Sequence, residues 1–298
     1  MVLKNYRWPV AVGVVVVAVI ATMITLGVRT PRSSTPVVVS GVSQWGALAR
    51  SALGGDAQVV TLLSDPNADP HSHEATTSDA AYVDQASIVI ENGAGYDTWL
   101  SQLVGARASR PTVINVASLV GVKTGSNPHL FYDVTAARRF VETLVSKVAT
   151  VSNSAHVHTS AAAVLTSLRS LEGEVATLRS RCGGVNVAAT EDVTGYLLAA
   201  MGLHVITPES LRLAVGNGVD PSVGALATAL DQLRTHPAFL VNNTQTATPL
   251  TNEMVNVARS NHVPVINVTE TMVGTNYVAW MGRTIASMRS DLVLEGCA

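Results

Sequence analysis

Residues 134–181 contain no proline and a single glycine, Gly173, while strand-like and helix-like runs alternate on either side. No other feature limits the possible folds as strongly. The apolar positions Ala161, Val164, Leu165, Leu168, Leu171, Val175 and Leu178 recur every three or four residues, the period of one helix face. Two helices are expected there, the second over about 159–181. At about 1.5 Å per residue the second is long enough to connect two lobes.

Before this stretch, β-branched runs at 36–40, 59–63, 87–90 and 112–116 alternate with helical segments at 45–53, 78–85 and 96–104. Ser78 stands in a capping position. After it, strands are expected at 185–189, 205–206, 238–241 and 264–268. The helices expected between and after them are 193–201, 221–233, with Pro221 in its first turn, 253–260 and 277–288. Such alternation implies parallel β-α-β units with right-handed crossovers. The expected fold is α/β: two similar lobes, each a parallel sheet flanked by helices, joined by a long rigid connecting helix.

The chain has 298 residues, of which 47% are apolar and 13% charged, so it can bury a sizeable core. A net charge of −2, with no basic run beyond the N-terminal region, argues against a nucleic-acid partner. Aromatics at 4% leave little for a large aromatic binding cleft. Residues 9–28 carry no charge, with Lys4 and Arg7 before them and Arg29 and Arg32 after. Such a helix spans roughly 30 Å, the depth of a bilayer core. It reads as a retained anchor or a cleaved signal sequence, and either exports the rest. The expected division is therefore 1–8 as a cytoplasmic N-terminus, 9–28 as anchor or signal, and 29–35 as linker. The first lobe then covers 36–150, the connecting helix 151–182 and the second lobe 183–298. Cys182 and Cys297 are the two cysteines. An oxidising compartment permits a disulfide between them, tying the start of the second lobe to the C-terminus, or leaves two thiols.

Two triplets, Asp69-Pro70-His71 and Asn127-Pro128-His129, each drop a histidine into a loop after an apolar run. Glu191 and Glu270 occupy similar positions after strands in the second half. One ligand-type side chain thus comes from each quarter of the folded part, a pattern suited to one metal site between two lobes. His73 and Glu74 beside the first histidine, and Asp192 beside Glu191, are expected to support the ligands by hydrogen bonding. Asp192 is also the rival ligand in its lobe.

These segments carry a resemblance. Residues 69–74 with Ser78-Asp79-Ala80 resemble the first ligand segment of the zinc/manganese-type solute-binding proteins of metal ABC transporters. Residues 88–95 with Trp99-Leu100 look like that family's strand-to-helix segment. Asn127-Pro128-His129 resembles its second ligand segment, which usually reads Asp-Pro-His. Residues 191–197 with Gly202-Leu203 are similar to the third, and residues 268–272 fall where the fourth ligand belongs. The similarity covers roughly 36–290. It implies His71, His129, Glu191 and Glu270 as metal ligands in the cleft, and a membrane permease of an ABC importer as partner. The third position is often histidine and here is Glu191; the fourth is usually aspartate and here is Glu270.

Two nitrogens and two carboxylates suit Zn²⁺ or Mn²⁺, and Fe²⁺ as a further candidate, better than Cu⁺, which wants sulfur. Binding through both oxygens of Glu191 would raise the coordination number and favour Mn²⁺ or Fe²⁺. The function expected is a monomeric, non-enzymatic binding protein at the extracytoplasmic face of the membrane. Two other functions are compatible with such residues: a binder of a metal chelate or small organic ligand with the same fold, and a zinc-dependent hydrolase. No His-Glu-x-x-His is present to support the hydrolase.

Overall fold

The computed structural model describes residues 35–65, 73–107, 110–151, 157–294 and 296–297. The apolar segment 9–28 and the triplet Asp69-Pro70-His71 lie outside the described residues. Among the described residues, no helix is long and apolar enough to cross a membrane.

The first lobe opens with β1 (Val37–Val42), α1 (Ser43–Leu53), β2 (Gln58–Leu63), α2 (Thr77–Gln85), β3 (Ile88–Glu91), α3 (Thr98–Gly105), β4 (Thr112–Asn115) and α4 (Val116–Val120). A 3-10 turn at Leu130–Tyr132 leads into α5 (Val134–Val151), and α6 (Val157–Cys182) follows. The second lobe contains β5 (Asn186–Ala189), α7 (Gly195–Ala200), β6 (His204–Val205), α8 (Glu209–Gly216), α9 (Val223–Leu233), β7 (Leu240–Asn243), α10 (Pro249–Ser260), β8 (Val265–Val268) and α11 (Tyr277–Leu294). The sheets run β2-β1-β3-β4 and β6-β5-β7-β8, the same order twice, and every strand pair is parallel. In each sheet the chain leaves the first strand toward one side and later returns to the other. That reversal opens a crevice at the carboxyl ends of the strands.

Helix α6 is 26 residues long. Its Ala161, Leu168, Leu171, Val175, Leu178 and Cys182 are buried, so the helical spacing seen in the sequence is its inward face. It packs against α1, α5 and α11. Arg138 of α5 pairs with Glu172 at 2.9 Å, and Arg289 of α11 pairs with Glu174 at 2.9 Å. Cys182 and Cys297 are joined by a disulfide, with their Cα atoms 5.2 Å apart.

One continuous core runs through both lobes, from Val38, Trp45 and Phe140 to Val187, Val241 and Met281. Five aromatics form a run that passes from the first lobe to the second. Tyr96–Phe131, Phe131–Tyr132, Tyr132–Trp280 and Tyr277–Trp280 have ring centroids 5.7, 5.6, 4.8 and 5.8 Å apart, within the range of favourable aromatic pairs.

Several boundaries differ from the sequence reading for identifiable reasons. Thr76, not Ser78, caps α2: its hydroxyl accepts from Asp79 N at 3.1 Å while the Asp79 carboxylate accepts from Thr76 N at 2.8 Å. Ser222 caps α9, so Pro221 precedes the cap instead of lying in the first turn. Helix α10 starts a turn earlier than expected, with Thr248 as cap and Pro249 as first residue. Helix α8 was not expected; its cap position holds Pro208, whose side chain offers no acceptor.

Candidate metal centre

The site residues follow the carboxyl ends of strands. Glu191 lies just beyond β5, Asn243 ends β7, Glu270 lies just beyond β8, and His129 sits in the loop between α4 and the 3-10 turn. All four are buried: His129 is 7% exposed, Glu191 3%, Glu270 9% and Asn243 0%. Unpartnered charges at such depth are costly, so each carboxylate must be held by donors.

His129 is fixed on several sides. Its backbone N–H donates to Asn127 Oδ1 at 3.0 Å, and its ring Nδ1 donates to the same oxygen at 2.7 Å. Tyr96 and Phe131 meet the ring edge to face, with centroids 6.0 and 5.8 Å away. Ring Nε2 therefore faces outward, and it contacts the Glu270 carboxylate from the other lobe.

Glu191 Oε1 accepts from Asn243 Nδ2 and, at 3.0 Å, from Thr246 Oγ1. Both donors on one oxygen leave Oε2 as the atom for a further partner. Burial pushes the Glu191 carboxyl above its ordinary value; the nearby charge of Glu270 adds to this, while the Asn243 and Thr246 hydrogen bonds and His129 oppose it. Glu191, Glu270 and His129 thus sit close enough to act on one another. The Glu270 loop is held from the first lobe: Gln44 Nε2 donates to the Glu270 carbonyl, and Met272 N donates to Ser43 Oγ at 3.2 Å. Gly216 brings the end of α8 close to Glu191, where an added Cβ would stand 3.5 Å from Oε2.

The structure brings His129 and Glu270 into contact, with Glu191 close by; His71 lies outside the described residues. Among the described residues, no group of three or more His, Cys, Asp or Glu forms a complete metal-holding cluster. Asp192 pairs with Arg212 of α8. His73 Nε2 lies 3.3 Å from Asp79 Oδ2, and its ring stands edge-on to Trp99 at 4.5 Å. Glu74 is exposed, and Asn127 supports the His129 imidazole. The sequence reading assigned no role to Asn127, Asn243, Thr246 or Gln44. The signal was present for Asn127: an Asx residue two positions before a loop residue turns its side chain onto that residue's N–H. The polar run Asn243 to Thr246, straight after an apolar strand, was the signal for the other lobe.

Two parallel-sheet lobes whose strand ends present buried nitrogen and carboxylate groups to each other form the architecture of a cleft-binding solute receptor. The chain belongs to the ZnuA family, described as zinc-uptake complex component A, periplasmic, which matches residues 38–290. It is a family of extracytoplasmic, metal-binding substrate-binding proteins, not enzymes. Among solved structures, the chain is similar to the SBP FpvC from Pseudomonas aeruginosa in complex with Ni²⁺. The two are 19% identical over 89% of this chain and 99% of that one, with a TM-score of 0.69. It is also similar to the periplasmic zinc binding protein TroA from Treponema pallidum, at 17% identity over 87% and 99% of the two chains and a TM-score of 0.68. A Mn-bound mutant of the periplasmic metal binding protein from Candidatus Liberibacter asiaticus gives 15% identity, 86% and 99% coverage and a TM-score of 0.67. At these identities the likeness is one of fold. No curated protein matches the chain at a significant level.

Proposed function

We propose that this protein captures a divalent transition metal in the cleft between its lobes and hands it to an ABC importer at the extracytoplasmic face of the membrane. The ligands are His71, His129, Glu191 and Glu270. The observation that carries this reading is the contact of His129 Nε2 with the Glu270 carboxylate across the lobes, beside buried Glu191. A neutral imidazole nitrogen and a carboxylate oxygen that converge in a buried cleft suit a dication, whose charge offsets the two acids. A tetrahedral cation bound by both at about 2.0–2.1 Å would hold the two atoms roughly 3.3 Å apart, so a small outward shift admits it.

The hydrogen bonds at Glu191 support a preference among metals. With Asn243 and Thr246 both on Oε1, the carboxylate offers Oε2 alone and binds through one oxygen. A Glu191 that binds through one oxygen suits four-coordinate Zn²⁺ better than the higher coordination that Mn²⁺ or Fe²⁺ would gain from a two-oxygen carboxylate there. Uptake fits the same reading, since the family description names a zinc-uptake component. The apolar segment 9–28 would hold the protein at the membrane or be removed on export.

The test is metal content and thermal shift on the purified protein, stripped and then titrated with Zn²⁺, Mn²⁺ and Fe²⁺. One equivalent should bind and, at 1,000 times Kd, stabilise by about 4 kcal/mol. His129→Ala should abolish both effects. Bound Co²⁺ should give the intense visible bands of a four-coordinate site. No bound metal would end the proposal, and weak octahedral-type bands would end the zinc preference.

A further inference from the structure

Asn127 touches both halves of the site. Its Oδ1 accepts from the His129 backbone N–H and from His129 Nδ1, at 3.0 and 2.7 Å. Its Nδ2 donates to the Asp192 carbonyl of the other lobe at 2.8 Å. The orientation of the amide is not a matter of choice. A backbone N–H can only donate and a carbonyl can only accept, so the two backbone partners fix which amide atom is which. The carbonyl of Asn127 in turn accepts from Tyr196 OH at 2.7 Å. Two hydrogen bonds of opposite sense therefore join residue 127 to the turn beside Glu191. Gly195 permits this approach: a Cβ there would stand 3.0 Å from Asn127 Nδ2.

We propose that Asn127 is a positioning residue that couples the orientation of His129 to the docking of the Glu191 turn, so that the metal is retained only while the two lobes remain latched. The inference rests on the reading of His129 and Glu191 as ligands. One amide does two jobs that need opposite chemistry: its oxygen holds the imidazole with Nε2 toward the cleft, and its nitrogen holds the opposite lobe. An aspartate, the usual residue in the triplet this segment resembles, could accept from His129 equally well. It has no proton to give to the Asp192 carbonyl, and it would set two oxygens against each other. The asparagine of this chain therefore adds a cross-lobe bond, while withholding the negative charge that a carboxylate would place behind the imidazole.

The test uses the full chain loaded with Zn²⁺ or Co²⁺, and reads metal release into excess chelator together with amide hydrogen exchange over residues 190–196. Asn127→Asp keeps both bonds to His129 and loses the latch. It should bind one equivalent, release metal about two- to tenfold faster, the span of one lost hydrogen bond, and expose the 190–196 amides. Tyr196→Phe removes the second cross-lobe bond without altering anything at His129, and should speed release with the spectrum unchanged. Asn127→Ala loses both functions and should also change the spectrum. Release at or below the wild-type rate in Asn127→Asp and Tyr196→Phe, with the turn protected as before, would overturn the coupling while leaving the metal site intact. Failure of the wild-type protein to bind metal would overturn the site and the coupling together.

Discussion

At the scale of single residues, burial decides which side chains carry consequences. Asp97 stands just ahead of α3, yet its carboxylate turns back to accept from Asn92 N at 2.7 Å and Gly93 N at 2.9 Å. It is 2% exposed, and burial pushes its pKa from 3.8 up to about 6, with the two backbone donors opposing and nearby Glu91 adding a little. The folded state thus holds a proton more tightly here than the unfolded chain does. This contribution to stability is fully present below pH 3.8 and is lost as pH rises to about 6, a change of about 3 kcal/mol. Asp97→Asn should remove that slope: urea denaturation at pH 4, 5, 6 and 7 should show the wild type losing stability relative to the variant as pH rises. Parallel profiles would mean that Asp97 does not titrate in this range. Nothing local in the sequence marks Asp97 as buried, since an acid ahead of a helix usually faces solvent. His129 and the two glutamates stand out in the sequence as candidates because residue type, strand-end position and repetition along the chain agree. The cross-lobe role of Asn127 was not visible, because it depends on a carbonyl 65 residues away in sequence.

At the scale of elements, the long helix and the strand–helix alternation were readable because periodicity survives in sequence. Helix starts were less readable where the capping residue was missed. Thr76, Ser222 and Thr248 each bond the N–H three residues on, at 3.1, 3.2 and 3.2 Å, and each sits one or more residues away from the nearest apolar run. Helix α8 escaped because it is short, lacks a side-chain cap and leaves Leu213 50% exposed, which blurs its apolar face. Its consequence is local, since it supplies the Arg212 that engages Asp192 beside Glu191. The disulfide works at this scale as well. It joins the end of α6 to the segment after α11 across a sequence separation of 115, and loop-closure entropy for that length corresponds to about 5 kcal/mol. Changing both Cys182 and Cys297 to serine, or reducing the bond, should lower the unfolding free energy by about 2–5 kcal/mol. Equal denaturation midpoints for the double variant and the wild type would show that α6 and α11 hold this end without it.

At the scale of the molecule, the two sheets repeat one strand order, yet the lobes are not independent bodies. Tyr132 OH donates to the Thr269 carbonyl at 2.8 Å, and Tyr277 OH donates to the Phe131 carbonyl at 2.8 Å. Ser43 and Gln44 hold the 270–272 loop, and Asn127 holds Asp192. Beneath these bonds lies the continuous core with its aromatic run. The sequence predicted two lobes and a connecting helix, but not the shared core, because an apolar residue does not reveal which lobe it packs against. That core sets the scale of motion. A wide hinge opening would break several buried hydrogen bonds, at about 1 kcal/mol or more each, and expose aromatic surface to water. Local shifts of the loops that bear His129, Glu191 and Glu270 would break only a few contacts. Metal entry and release should therefore proceed through those loops. X-ray scattering profiles of the stripped and metal-loaded protein should superimpose, while hydrogen exchange should slow on loading at residues 190–196 and 268–272. A large compaction on loading would show that the lobes part after all, and that the cross-lobe bonds form only around the bound ion.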